Sequence, residues 1–192
     1  MKTIVAATVC VLAALPAFGA PMQTGATEAR VEIGYDVTPQ KSDLTGNDDT
    51  AHLTLQGALG YYLTDGVQVG IYVSQEQKNW ESYWGVSAVW GLGVFGEYNF
   101  LVHDRVVPFV SLGVGGLDGD AKSGDTVCAG TLSAGLKFFV TELLAVSAQV
   151  NGAWASDEVF DFQRTASTDA TGLGTGEATD FSASVAVRFL FY

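Results

Sequence analysis

Apolar and polar residues alternate with a period of two along most of this chain. In the first such segment, Val31 and Ile33 fall on one face and Arg30 falls on the other. Successive side chains of a β-strand point to opposite faces, so this pattern predicts a strand with one apolar side. The alternation recurs in eight segments: 29–37, 52–63, 67–74, 84–98, 106–115, 131–140, 144–154 and 180–191.

The connections between these segments alternate between long and short. The long ones are polar and cover residues 40–49, 75–82, 118–125 and 156–179, whereas Thr64, Asp65 and Gly66 form a compact turn signal. Outer-membrane barrels have short periplasmic turns and long extracellular loops, so this order predicts a periplasmic N-terminus. The expected fold is all-β: an eight-stranded antiparallel up-and-down transmembrane β-barrel.

The composition of the two faces favours a barrel in lipid over a soluble barrel. The apolar faces contain Val, Leu, Ile, Ala, Phe and Trp, and the polar faces contain Gly, Ser, Thr, Gln and isolated charges. A surface in water would be richer in Lys and Glu, yet charged residues make up only 16% of the chain. Because lipid offers no hydrogen bonds, the strands must close into a barrel without free edges.

Aromatic residues gather near the predicted strand ends, as expected for two interfacial girdles. One girdle, at the end with the short turns, is predicted to contain Tyr61, Tyr62, Tyr98, Phe100, Phe138, Phe139, Phe191 and Tyr192. The other, at the end with the long loops, is predicted to contain Tyr35, Tyr83, Trp84 and Trp154.

The first residues have the composition of a secretory signal peptide. Lys2 supplies the positive charge, an apolar run covers 4–15, and Ala17 and Gly19 are small. This run is too short to cross a bilayer as a helix. We therefore predict a cleaved signal peptide over 1–19, a barrel over 20–192, and a location in the bacterial outer membrane.

One run in the second half resembles a known family. Pro108, Phe109, Val110, Ser111, Leu112, Gly113, Val114 and Gly115 are similar to the fifth-strand Pro-aromatic-x-x-x-Gly-x-Gly pattern of the outer membrane beta-barrel domain family, the small OmpA/OmpX-type barrels. The aromatic C-terminal strand, whose alternation ends at Phe191, is also similar. The resemblance implies that this strand is recognised by the barrel-assembly machinery.

Five charged residues fall on the inward faces and are the candidate site residues: Arg30, Glu32, Glu97, Lys137 and Arg188. The interior of an eight-stranded barrel has room for side chains but not for a wide channel. Buried charges need partners, so we predict a network of opposite charges that fills the lumen. The alternative is a small gated pore.

Other chemistry is weakly encoded. His52 lies near Ser42, Asp48 and Asp49, and His103 lies beside Asp104, but no motif joins them into a catalytic set. An acidic segment contains Asp118, Asp120 and Asp125, yet its spacing lacks the glutamate that completes a calcium loop. We expect no catalytic residues, cofactor or metal.

The expected role is therefore a structural or surface-interaction one, with loop display and no catalytic activity. Expected partners are outer-membrane lipid and lipopolysaccharide, the barrel-assembly machinery, and a host or matrix surface bound through the loops. The net charge of −12 excludes nucleic acid, which requires a basic surface. The alternative function is a narrow passive pore for ions or small solutes.

Overall fold

The computed structural model describes residues 22–38, 50–78, 87–103, 105–119, 127–155 and 178–192. The predicted signal peptide lies outside these residues. Within the described ranges, no helix is long and apolar enough to cross a membrane. The strands are β1 (Thr27–Thr38), β2 (Thr50–Tyr62), β3 (Val67–Lys78), β4 (Ser87–Asn99), β5 (Val106–Gly119), β6 (Val127–Phe139), β7 (Leu144–Ala155) and β8 (Ala178–Phe191).

The eight strands form one closed barrel, as the sequence predicts. Each strand pairs antiparallel with its neighbours in the chain, and β1 closes the barrel against β8. At the closure, Arg30 is opposite Arg188 and Val31 is opposite Val187. Closure pairs both sides of every strand, which removes the free edges that lipid could not satisfy.

The apolar face points outward and the polar face points inward. Leu92 and Val150 leave 68% and 63% of their surface exposed, whereas Lys137 and Arg188 are fully buried. A soluble barrel would have the opposite arrangement. The outer surface is therefore suited to lipid, and the charged side chains lie in the lumen.

The two ends of the barrel differ in their connections. At the short-turn end lie the start of β1, the end of β8, and the connections 63–66, 100–105 and 140–143. The strand ends that are joined by residues 39–49, 79–86, 120–126 and 156–177 lie at the long-loop end, and these four ranges are outside the described residues. At the short-turn end, the Thr64 hydroxyl accepts hydrogen bonds from the backbone N–H groups of Gly66 and Val67. The short-turn end faces the periplasm in outer-membrane barrels.

Several strands extend further toward the long-loop end than the sequence predicts. β3 continues to Lys78, so residues 75–78 are strand rather than loop, and Gln75 pairs with Trp90. β5 likewise continues to Gly119 and includes Asp118. The polar residues mark where the apolar belt ends, but backbone pairing continues beyond it because water can solvate their side chains.

The aromatic residues follow the predicted girdles in part. Tyr61, Tyr98 and Phe100 are exposed at the short-turn end, and Tyr35 and Trp154 at the long-loop end. Two assignments were wrong: Tyr62 and Phe139 are buried in the lumen. Both have the inward parity of their strands, so proximity to a strand end does not place them in lipid. Tyr83 and Trp84 lie outside the described residues.

Candidate functional site

The structure brings all five predicted lumen residues together. Each of them is buried, and they project inward from four strands: Arg30 and Glu32 from β1, Glu97 from β4, Lys137 from β6 and Arg188 from β8. β4 lies across the barrel from the neighbouring strands β8 and β1, so the side chains meet across the lumen. The charged groups form ion pairs with one another and are not exposed to solvent.

Glu28 is a sixth member that the sequence analysis missed. It is buried, its Oε2 atom lies 3.1 Å from Lys137 Nζ, and its Oε1 atom lies 2.8 Å from Arg188 Nη1. The signal was present in the sequence, because Glu28 has the same parity as Arg30 and Glu32. The predicted strand began one residue too late to include it. We call these six residues the charge cluster.

Four ion pairs form the centre of the charge cluster. Glu28 and Glu97 each contact both Lys137 and Arg188. Arg188 Nη1 lies 3.1 Å from Glu97 Oε2, and Lys137 also contacts Glu97 Oε1. Two carboxylates thus face two cations, and the centre has no net charge. Mutual compensation of this kind is what allows charges to be stable away from water.

Aromatic rings pack around this centre. The Tyr62 hydroxyl donates a hydrogen bond to Glu28 over 2.8 Å and accepts one from Lys137 over 3.0 Å. The guanidinium of Arg188 lies 4.6 Å from the centroid of the Phe109 ring. Such cation–π contacts add attraction where water is excluded. The rings also occupy volume that solvent would otherwise fill.

A second layer extends the charge cluster toward the long-loop end. Arg30 lies 3.5 Å from Glu97 and 3.7 Å from Glu32. Glu32 Oε1 accepts hydrogen bonds from the Ser184 hydroxyl over 2.6 Å and from Gln149 Nε2 over 2.9 Å. The Ser184 hydroxyl on β8 and the Gln149 amide on β7 thus satisfy one oxygen of the buried carboxylate, and the other oxygen, Oε2, faces Arg30 without a hydrogen bond.

Glycines make room for the Tyr72 ring inside the barrel. Tyr72 is buried, and a Cβ atom on Gly93 or Gly115 would collide with its ring or hydroxyl. Gly93 lies on β4 and Gly115 on β5, so the ring rests against the two strands that follow its own strand, β3, around the barrel. The small residues on the inward faces therefore make room for large side chains from other strands.

The histidines do not form one site. His103 lies in the 100–105 connection at the short-turn end, where its Nδ1 atom accepts a hydrogen bond from the Arg105 backbone N–H. His52 belongs to β2 near the long-loop end, opposite Asp36 and Lys78 in the strand register. The candidate catalytic partners Ser42, Asp48 and Asp49, and Asp104, lie outside the described residues.

The acidic segment gives no indication of a metal site in the described part of the chain. Asp118 is exposed near the end of β5. Asp120 and Asp125 lie outside the described residues. Among the residues with described positions, no three His, Cys, Asp or Glu side chains are grouped so that they could hold a metal ion.

Comparisons with known proteins agree with this architecture. The family model described as outer membrane protein beta-barrel domain matches residues 10–189. No curated protein matches the sequence. Neisserial surface protein A is 12% identical with a TM-score of 0.60, and the alignment covers 88% of this chain and 98% of that one.

Two Pseudomonas aeruginosa structures are also similar. The N-terminal β-barrel domain of OprF is 19% identical with a TM-score of 0.53, and the alignment covers 88% of this chain and 98% of that one. OprG is 14% identical with a TM-score of 0.51, and the alignment covers 91% of this chain and all of that one. At these identities the likeness concerns the fold.

Proposed function

This chain belongs to the outer membrane protein beta-barrel domain family and is located in the bacterial outer membrane, and from that premise we propose that it is a structural, surface-displaying barrel without catalytic activity. In this proposal the barrel is a rigid frame, and the long connections at the long-loop end make contact with molecules outside the cell. The lumen stabilises the frame and does not transport solutes.

The observation that carries the proposal is the burial of the charge cluster. Lys137, Arg188 and Glu97 are inaccessible to solvent, and their ion pairs join β4, β6 and β8 across the lumen. A solute would have to separate several of these pairs to pass. Separating one partner from a buried pair costs about 3–5 kcal/mol, so an open path through the cluster would be rare.

The pattern of connections supports display. The connections at the long-loop end cover residues 39–49, 79–86, 120–126 and 156–177, and they carry most of the acidic residues outside the strands. The barrel holds the ends of each connection at fixed positions. Loops held by a rigid scaffold are common binding elements. We propose a host or matrix surface as their partner.

Two further partners follow from other surfaces. The outward apolar residues, such as Ile71 and Leu112, would contact outer-membrane lipid and the acyl chains of lipopolysaccharide. β8 ends at the exposed aromatic residue Phe191, and the exposed Tyr192 follows it. We propose that this strand is the segment recognised by the barrel-assembly machinery.

The absence of catalysis is part of the proposal. His103 and His52 lie at opposite ends of the barrel, so they cannot act on one substrate. The charge cluster and Ser184 are held in ion pairs and hydrogen bonds and are buried from solvent, so these groups have no access to a substrate. A nucleophile needs a neighbouring base and access to substrate.

Loop replacement tests this function. Each long connection is replaced by a short Gly-Ser linker, and binding of the producing cells to cultured epithelial cells and to immobilised matrix protein is measured. Altering the short turn at Thr141 and Glu142 is the control. The proposal predicts lost binding for at least one loop variant, with normal migration of the unboiled barrel on gels. Unchanged binding after all four replacements would contradict it.

A further inference from the structure

Residues 22–26 fold back into the short-turn end of the barrel. Met22 and Ala26 are each only 1% exposed, whereas Gln23, Thr24 and Gly25 between them are exposed. Met22 is among the largest fully buried side chains in the described structure. A long apolar side chain that precedes the first strand is thus buried as deeply as the lumen residues.

Met22 and Ala26 enter an apolar socket made of five residues. Each socket residue lies within two positions of the short-turn end of its strand. The socket consists of Tyr62, Val107, Phe139, Ala145 and Leu190, and together with Met22 and Ala26 it forms one buried cluster. Because these residues come from β2, β5, β6, β7 and β8, the cluster reaches across the mouth of the barrel.

The backbone of the segment is shaped to make this turn. Gly25 has a φ of 92°, which residues with a side chain rarely adopt, and its N–H donates to the Tyr62 carbonyl over 2.9 Å. The Ala26 N–H donates to the Gln23 carbonyl over 3.0 Å. The turn sends Met22 into the socket while the chain stays attached to β2.

A polar contact holds the outer side of the segment. The backbone N–H and the hydroxyl of Thr24 both donate to Asp65 Oδ1, each over 2.9 Å. Asp65 belongs to the connection between β2 and β3, which is itself fixed by the Thr64 hydroxyl. The segment is therefore attached on its apolar side by the socket and on its polar side by Asp65.

We infer that residues 22–26 are a stopper that seals the periplasmic mouth of the lumen, with Met22 as its anchor and Asp65 as its latch. The stopper is a second barrier, distinct from the charge cluster. Tyr62 joins the two, since its ring belongs to the socket and its hydroxyl bonds Glu28 and Lys137. The stopper thus separates the charge cluster from periplasmic water. This role does not depend on what the long connections bind.

Thiol labelling of the refolded barrel in detergent micelles tests the position of the anchor. In a background with Cys10→Ser and Cys128→Ser, Met22→Cys is compared with Gln23→Cys, its exposed neighbour. A membrane-impermeant maleimide is the probe. The inference predicts that position 22 is modified about tenfold or more slowly than position 23, from the burial of one side chain. Equal rates would overturn it.

A cysteine placed within the socket tests the seal, because Met22 can then be varied separately from the labelled position. Ala145→Cys reports on the socket, and Ala186→Cys, also buried in the lumen, is the matched control. Replacing Met22 with Ser is predicted to raise the labelling rate at position 145 about tenfold, and to leave position 186 unlabelled. An unchanged rate at position 145 would refute the seal.

The latch is tested in the same assay. Asp65→Ala is predicted to raise the labelling rate at position 145 about threefold or more, because Thr24 loses both hydrogen bonds. Glu142→Ala, which removes an exposed carboxylate from another short turn, is the control and should leave the labelling rate at position 145 unchanged. Equal effects of the two substitutions would show that Asp65 is not a latch. Gel migration of unboiled samples verifies that each variant is folded.

Discussion

Replacing Lys137 by Met should destabilise the barrel more than any surface substitution. The side chain is fully buried, and its Nζ atom contacts Glu28, Glu97 and the Tyr62 hydroxyl. Methionine has a similar length, so the change removes the charge with little change in volume. Glu28 and Glu97 would then share the remaining central cation, Arg188, and the cluster would acquire one uncompensated negative charge.

The expected cost follows from that unpaired charge. Breaking a buried ion pair by removing one partner typically costs about 3–5 kcal/mol, and we expect a loss in this range for Lys137→Met. Adding Glu28→Gln restores neutrality: the amide oxygen can still accept from Arg188, and the amide NH2 group can donate to the Tyr62 hydroxyl. The double variant should therefore recover about 1–3 kcal/mol relative to the sum of the single effects.

The assay is reversible unfolding by urea in lipid vesicles, followed by tryptophan fluorescence and by migration of unboiled samples. Lys122→Met, in the connection between β5 and β6, is the control and should change stability by less than about 0.5 kcal/mol. If Lys137→Met were as mild as this control, the charge cluster would not be a tightly coupled buried network. Additive single effects would likewise count against it.

Two smaller predictions concern the wall and the turn. Gly130→Val should lower the free energy of unfolding by about 1–3 kcal/mol and change the Trp154 emission, because the Trp154 ring covers Gly130 and must shift. Gly96→Ala is the control, since a side chain there meets open space. Equal losses of stability in the two variants would contradict this packing. The hydrogen bond from the Thr24 backbone N–H, and to a smaller extent the one from its hydroxyl, holds the pKa of Asp65 below the usual aspartate range. The hydrogen bonds from Thr24 to Asp65 therefore stabilise the fold above the usual aspartate pKa range, and this stabilisation is lost as the pH falls through the lowered pKa. The Thr24 amide NMR signal should titrate together with Asp65. A titration midpoint at the usual aspartate value would refute this coupling.

The orientation of the lumen residues was predictable from sequence because parity alone decides it. A residue such as Lys137 shares the inward face with Ser133 and Gly135, two positions apart along β6. No contact with another strand is needed for that inference. The same rule would have found Glu28, had the first strand been extended by one residue.

The contacts inside the lumen could not be predicted in this way. Arg188 meets Glu28 across 160 positions of sequence, and Lys137 meets Glu28 across 109. Such pairs depend on strand stagger and tilt, which the alternation does not encode. Alternation also does not reveal the burial of Met22, which precedes the first strand and is placed by the turn at Gly25.

Buried ion pairs close the lumen in the proposed function, and conductance across a bilayer measures this closure directly. Purified wild-type protein is inserted into a planar lipid bilayer, and single-channel currents are recorded beside Lys137→Met. Wild type and Lys137→Met should both give no reproducible channel, because the stopper still seals the periplasmic mouth. Adding Met22→Ser to Lys137→Met should produce brief openings where the double variant folds. Regular wild-type channels whose conductance changes on substitution of Lys137 or Arg188 would contradict the claim and establish a pore.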